Sequence, residues 1–202
     1  MSDALKPKAK AKSRSFWQEF PEKEELNQYW YSAATVEALA REVAAETAPG
    51  ARVAFLSTPS VYYAFRALPS LADQDGVIFD VDAKFAKEGN RFVNFDFREP
   101  TKLPAAIHHT FDFVLIDPPF ITREVWEAYA AAATLLARPG AKILLSTIEE
   151  NAALMSELLD CRELRFRPSI PNLVYQYALF SNYASAGLSA RNPEVDAEPN
   201  DS

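Results

Sequence analysis

Phe111-Asp112-Phe113-Val114-Leu115-Ile116-Asp117-Pro118-Pro119-Phe120 decides the reading of the fold. Residues 113–116 are an unbroken apolar run, which predicts a strand buried on both faces of a sheet. The run stops at a carboxylate, two prolines and an aromatic ring. Pro118 and Pro119 lack amide hydrogens and fix φ, so the strand cannot continue and the turn is stiff. Asp117 and Phe120 are thereby expected at the carboxyl end of a strand, where open α/β sheets take their ligands. An Asp-Pro turn at a strand end is common by itself, so the flanking elements must decide whether this one carries chemistry.

Those elements repeat. Gly50, Gly76, Gly89 and Gly140 each stand just before a strand-like run, at 52–56, 77–81, 91–95 and 141–146. Glycine accepts the left-handed conformation that closes a helix or begins a tight turn. With 113–116 this makes five short apolar strands. The spacers 60–71 and 122–137 carry Val61, Ala64, Phe65 and Leu68, then Val125, Tyr129, Ala132, Ala133 and Leu136, at helical spacing. Helix-length spacers between apolar strands predict βαβ units and a parallel sheet. A helix over 149–159 is followed by two β-prone runs, 163–168 and 174–183, which predict an antiparallel hairpin. Ser32 or Thr35 is the expected cap of an earlier helix containing Val36, Leu39, Ala40 and Val43.

At 202 residues and 49% hydrophobic content the chain suits one domain with one sizeable core. It has no apolar run near eighteen residues and no secretion signal, which predicts a soluble cytoplasmic protein with no membrane contact. A monomer is expected. Cys161 is the single cysteine, so no internal disulfide is possible, and no Cys/His spacing suits a metal. His108-His109 reads as a solvated helix end. The net charge is −7, unevenly spread. Residues 1–15 carry Lys6, Lys8, Lys10, Lys12 and Arg14 against Asp3, a net of +4. From Ala186 onward, Arg191 faces Glu194, Asp196, Glu198 and Asp201, a net of −3, which leaves −8 on 16–185. Both tails are polar and aperiodic: 1–15 is expected to be a disordered basic tail and 186–202 a disordered acidic one. An acidic body does not suit duplex DNA, where phosphate contacts dominate affinity. Residues 16–31 are too aromatic for a solvated arm and are expected to cover the ligand face.

Three predicted strands end in carboxylates: Asp80 (with Asp82 two residues on), Asp96 and Asp117. Asp80 suits the two hydroxyls of a ribose, while Asp82 suits either that role or the cap of the next helix. Asp96 suits an adenine amino group and Phe97 its ring. After the first strand, Ser57-Thr58-Pro59-Ser60 replaces the glycine-rich loop of dinucleotide folds, so a pyrophosphate lacks its usual cradle. Ser57, Thr58 and Ser60 at a helix start still suit a carboxylate.

Asp117-Pro118-Pro119-Phe120 resembles the Asp/Asn-Pro-Pro-aromatic signature of class I, S-adenosylmethionine-dependent amino-group methyltransferases. Gln28-Tyr29-Trp30-Tyr31-Ser32, Thr58-Pro59-Ser60-Val61-Tyr62, Phe79-Asp80-Val81-Asp82 with Phe85, and Phe180-Ser181-Asn182-Tyr183 occur with it in one order. Together they resemble the lysine methyltransferases of eukaryotic translation elongation factor 1-alpha, a family formerly labelled N6-adenine-specific DNA methyltransferases. The resemblance spans about residues 16–185 and departs at Asp80, where glutamate is the commoner residue. It implies a Rossmann-like α/β domain over 16–185, with a mostly parallel seven-stranded sheet and a C-terminal antiparallel hairpin. It implies S-adenosylmethionine held by Ser57, Thr58, Pro59, Ser60, Asp80, Asp82, Asp96 and Phe97. Catalysis would fall to Asp117, Pro118, Pro119 and Phe120, and the lysine stem to Trp30, Tyr31 and Phe120, with no metal. The alternative from the same motif is an N6-adenine methyltransferase of DNA or RNA, with Phe120 stacked on a flipped base.

Overall fold

The computed structural model describes residues 15–69 and 74–195. Its strands form one sheet in the order β3-β2-β1-β4-β5-β7-β6. β1 (Arg52–Leu56), β2 (Asp75–Asp80), β3 (Phe92–Asn94), β4 (Phe111–Ile116) and β5 (Ala137–Ile148) run parallel. β7 (Tyr177–Ser181) lies antiparallel between β5 and β6 (Arg162–Glu163). The predicted α/β plan, mostly parallel with an antiparallel pair at its end, is the one observed.

Strand alternation feeds two cores, one on each face of the sheet. Val53 and Phe55 of β1, and Phe113 and Leu115 of β4, pack on one face beneath α2 (Ala33–Ala45) and α3 (Pro59–Ala67), a core that Phe16 of the short α1 (Phe16–Glu19) also joins. Ala54, Leu56, Val114 and Ile116 point the other way, to α4 (Arg123–Leu136) and α5 (Ala152–Leu159), where Trp126, Tyr129, Leu136 and Met155 are buried. Both faces are covered, which is why the central strands read as continuous apolar runs.

Several expected boundaries move. α3 starts at Pro59, a favoured first helical position, so Ser60 lies inside the first turn and is not the cap. It ends at Ala67; Ser70 and Leu71, the expected end of that helix, lie outside the described residues. Gly50, Gly89 and Gly140 have positive φ, as a turn requires, but Gly76 does not. Gly76 sits within β2, where a Cβ would stand 3.2 Å from the Phe55 ring, so close packing is its reason. Of the run 163–168 only Glu163 joins the sheet, in a two-residue strand that begins at Arg162. Ser32 caps α2 by accepting from the Thr35 amide at 3.1 Å, while Thr35 Oγ1 accepts from Ser169 N at 3.0 Å.

The carboxyl boundary placed at 185 is also too early. Leu188 is buried, and its carbonyl accepts from the Phe166 amide at 3.2 Å. The Asn192 amide donates to the Arg167 carbonyl at 2.9 Å and to Thr35 Oγ1 at 3.3 Å. Ala186–Val195 is therefore docked on the body; residues 1–14 and 196–202 of the expected tails lie outside the described residues.

Candidate active site

Sheet register brings the strand ends together. Leu56 pairs with Phe79 on one side and Ile116 on the other, so the residues that follow, Ser57, Asp80 and Asp117, emerge side by side. Chain order reverses between β1 and β4, the switch point where such sheets leave a crevice. Backbone bonds fix the three exits: Ser57 N to Phe79 O at 2.8 Å, Asp117 N to Leu56 O at 3.1 Å, and Phe95 N to Asp80 O at 3.1 Å. Ser57 takes φ +55°, a conformation that favours glycine, and its hydroxyl lies 2.6 Å from that of Tyr129. The backbone thus makes the tight turn of a glycine loop without the glycine.

A cavity of about 220 Å³ opens over these ends. Asp117, Pro118, Pro119 and Phe120 form one wall; Ser57, Asp80, Asp96 and Phe97 form another; Trp30 belongs to a third, made by residues 25–30. The Phe97 ring stands edge-on to Phe120 at 6.2 Å and stacks on Tyr129 at 6.3 Å. The rings expected on an adenine and on a lysine stem are thus neighbours. Among the described residues the walls hold the carboxyl groups of Glu25, Asp80, Asp96 and Asp117 against one cation, Arg98, which is itself paired to Asp96 at 3.2 Å.

Asp117 Oδ1 accepts from Ser146 Oγ at 2.7 Å, and Ser146 Oγ lies 2.6 Å from the Tyr31 hydroxyl. Asp117 is half-buried because part of its surface opens on the cavity. The protein packed around it nonetheless pushes its carboxyl up to about 7, against the pull of the Ser146 and Tyr31 hydroxyls toward the ionised form. Burial also pushes Asp80 up to about 7, although Asp80 Oδ1 accepts from the Asp82 amide at 2.8 Å.

Four expected site residues fall elsewhere. Asp82 does not line the cavity: it accepts from the Lys84 amide at 3.0 Å and pairs with Lys23 at 2.7 Å, so the capping alternative is the one realised. Burial alone would raise its carboxyl, but Lys23 and that amide hold it below the ordinary value. Thr58, Pro59 and Ser60 lie behind the wall, buried, with Thr58 Oγ1 unpartnered. Tyr31 is a further correction. It is 3% exposed and serves the Asp117 network, not the cavity surface. The sequence reading also missed Tyr129, Ser146, Tyr177, Leu173 and Asn27. Asn27 has φ +50° and its side-chain amide donates to the Pro119 carbonyl, which ties residues 24–28 over the Asp-Pro-Pro turn. Its signal was the single Asn in an aromatic stretch that had to turn.

This sheet order, with a cavity at the switch point, is that of Rossmann-like methyltransferases. Among solved structures the branched-chain polyamine synthase of Thermus thermophilus superposes with a TM-score of 0.60 at 20% identity, over 81% of this chain and 60% of that one. The 1,6-didemethyltoxoflavin-N1-methyltransferase of Burkholderia thailandensis, solved with S-adenosylhomocysteine, gives 0.50 at 18% identity, over 74% and 77%. The family model described as probable N6-adenine methyltransferase matches residues 22–185. EEF1A lysine methyltransferase 1 of Mus musculus and of Homo sapiens are each 37% identical over 166 residues, 80% of this chain and 75% of theirs. A protein-lysine N-methyltransferase of Dictyostelium discoideum is 30% identical over 86% of this chain and 83% of its own. The chain belongs to the family that these EEF1A lysine methyltransferase 1 proteins and that model define.

Proposed function

We propose that this chain is an S-adenosylmethionine-dependent protein-lysine N-methyltransferase acting on translation elongation factor 1-alpha in the cytoplasm. The observation that carries the reading is the acidic lining of the cavity: among the described residues, four carboxyl groups stand against one already paired cation. Such walls attract an ammonium group and repel a phosphate backbone. Relatives named for lysine methylation align over most of the chain, which supports the same substrate class.

The residues present fit the cofactor. Asp80 is a buried carboxylate at a strand end and suits the ribose hydroxyls; Asp96 and Phe97 suit the adenine. Ser57 brings the backbone close without a bulky side chain. When bound, S-adenosylmethionine supplies a methyl group activated on a sulfonium. The protein's part is to deliver a neutral amine in line. A lysine is protonated near pH 7 and has no lone pair in that state. Asp117 draws the ammonium in; the positive charge of a bound sulfonium and desolvation by the rings of Phe97, Phe120 and Tyr129 oppose the cation there and favour loss of its proton to solvent before transfer. Asp117 and the Pro118 carbonyl then accept from the amine and aim its lone pair, and holding two reactants in line accounts for much of the acceleration. Phe120 and Trp30 pack along the stem and stabilise the cationic product through their rings. No metal is required by this chemistry, and the described residues hold no cluster suited to one.

The test is transfer of label from labelled S-adenosylmethionine to purified elongation factor 1-alpha, in parallel with DNA and RNA oligonucleotides. Label on a lysine of the factor is the expected result. Label on adenine alone would select the rival reading.

A further inference from the structure

Ser146 and Tyr31 are not cavity-lining residues, yet both sit on Asp117. They come from distant parts of the chain. Ser146 lies in β5, beside β4, and Tyr31 precedes α2. Ser146 is 1% exposed and Tyr31 3%, so no water competes for their hydroxyls. A serine hydroxyl has one proton to give. That proton goes to Asp117 Oδ1, at 2.7 Å, so across the 2.6 Å contact the Tyr31 hydroxyl must be the donor and Ser146 Oγ the acceptor. Two donors in series therefore point at one carboxylate oxygen.

We propose that Tyr31 and Ser146 are positioning residues: they fix Oδ1 of Asp117, keep the carboxylate ionised inside the site, and leave Oδ2 alone to meet the substrate amine. This rests on the lysine reading above and adds to it the residues that set the state of its key group. The Ser146 hydrogen bond, backed by the Tyr31 hydroxyl, opposes burial, which by itself drives the carboxyl toward its neutral form. The other titratable groups facing the cavity are the carboxyl groups of Glu25, Asp80 and Asp96, the Arg98 guanidinium paired to Asp96 at 3.2 Å, and phenols. Tyr129 and Tyr177 are both raised by burial and by Asp117 itself, so neither supplies a positive charge. Tyr31 is likewise raised by burial and Asp117 and stays a neutral donor. Among the described residues of this wall the hydroxyl pair is what favours the ionised carboxylate. Each hydroxyl can be removed with almost no change of shape, as Ser146→Ala and Tyr31→Phe.

The deciding measurement needs no substrate. In the full-length protein labelled with ¹³C at the Asp carboxyls, Asp117 is assigned by its loss in Asp117→Asn and titrated by NMR. Its midpoint should rise by about half a unit or more in Ser146→Ala, the scale expected for one lost charge-assisted hydrogen bond. It should rise less in Tyr31→Phe. The double variant should fall short of the sum, because the two groups form one network. In parallel, the acid limb of kcat/KM for methyl transfer should move to higher pH by the same amount, with activity recovering at alkaline pH. A role confined to packing moves neither the midpoint nor the limb. An Asp117 midpoint unchanged in Ser146→Ala overturns the proposal whether or not a lysine is methylated. A midpoint that rises while no protein substrate accepts label leaves the pair standing and overturns the lysine reading instead.

Discussion

Asp117 allows chemistry to be separated from folding with one substitution. Its backbone is already fixed by Leu56 and by the two prolines that follow, so Asp117→Ala should keep the fold, as read by circular dichroism. Removing a preorganised electrostatic partner typically lowers turnover ~100- to 1000-fold, and that is the loss expected in kcat. Asp117→Asn keeps an acceptor oxygen but not the charge, and should fall between alanine and wild type. Turnover by Asp117→Ala at the wild-type rate would remove this residue from the site. Asp80 separates cofactor from substrate in the same way. Asp80→Ala should weaken S-adenosylmethionine binding by about 1–3 kcal/mol, the scale for losing a buried hydrogen-bonding partner, as read by calorimetry.

At the scale of elements, Ala186–Val195 is held against α2 by close contact as well as hydrogen bonds. A Cβ on Gly187 would stand 2.4 Å from Glu42 Oε2, and Glu42 is buried, its other oxygen accepting from the Tyr183 hydroxyl at 3.1 Å. Gly187→Ala should therefore lower stability by about 1–3 kcal/mol in thermal or denaturant unfolding, the cost of forcing extra volume into a filled space. This segment shows why the carboxyl end was hard to read. One buried Leu188 and one buried Asn192 dock it, too few to leave a periodic pattern. The central strands were legible because burial on both faces makes them wholly apolar, and Asp80, Asp96 and Asp117 were legible because a strand end must place them in the crevice. Tyr129 and Ser146 were not. Tyr129 fits the apolar face of α4, and Ser146 looks like the last residue of a strand; only the register of β4 with β5 sets Ser146 beside Asp117, and only the packing of α4 on the sheet brings the Tyr129 hydroxyl to Ser57. Asp82 was misplaced for the opposite reason, since its spacing suits both a ribose and a cap, and Lys23, 59 positions earlier, favours the second.

For the whole molecule, Asp80 and Asp117 set an unusual pH dependence. Both carboxyls are raised to about 7 in the folded protein, whereas an unfolded Asp titrates near 3.9. Between those values the native state binds more protons than the unfolded one, so stability falls as pH rises. The contribution is fully present below the unfolded value and is lost on passing through about 7, roughly 2–4 kcal/mol for each group. Asp82, held below its ordinary value, acts in the opposite sense only at lower pH, as protonation breaks its pair with Lys23. Without ligands the protein should thus resist denaturant better at pH 5 than at pH 8, and Asp117→Asn should flatten that slope. The acidic body also makes encounter with a basic protein partner sensitive to salt. Raising ionic strength from low to physiological should lower kcat/KM on the protein substrate; an indifferent rate would show that charge does not steer the encounter.

The Asp117-Pro118-Pro119 wall has a consequence in its arithmetic of donors. The Asp117 amide hydrogen is committed to Leu56, and the prolines have none, so with Asp117 ionised the wall presents acceptors only along these three residues. A hydroxylate, a carboxylate or an amide oxygen finds no partner on that stretch, whereas an ammonium group brings three N–H bonds to it. Each methyl added to the nitrogen replaces one of them. The wall's grip therefore slackens in step with the reaction, and the most heavily methylated product is the one it holds least through hydrogen bonds.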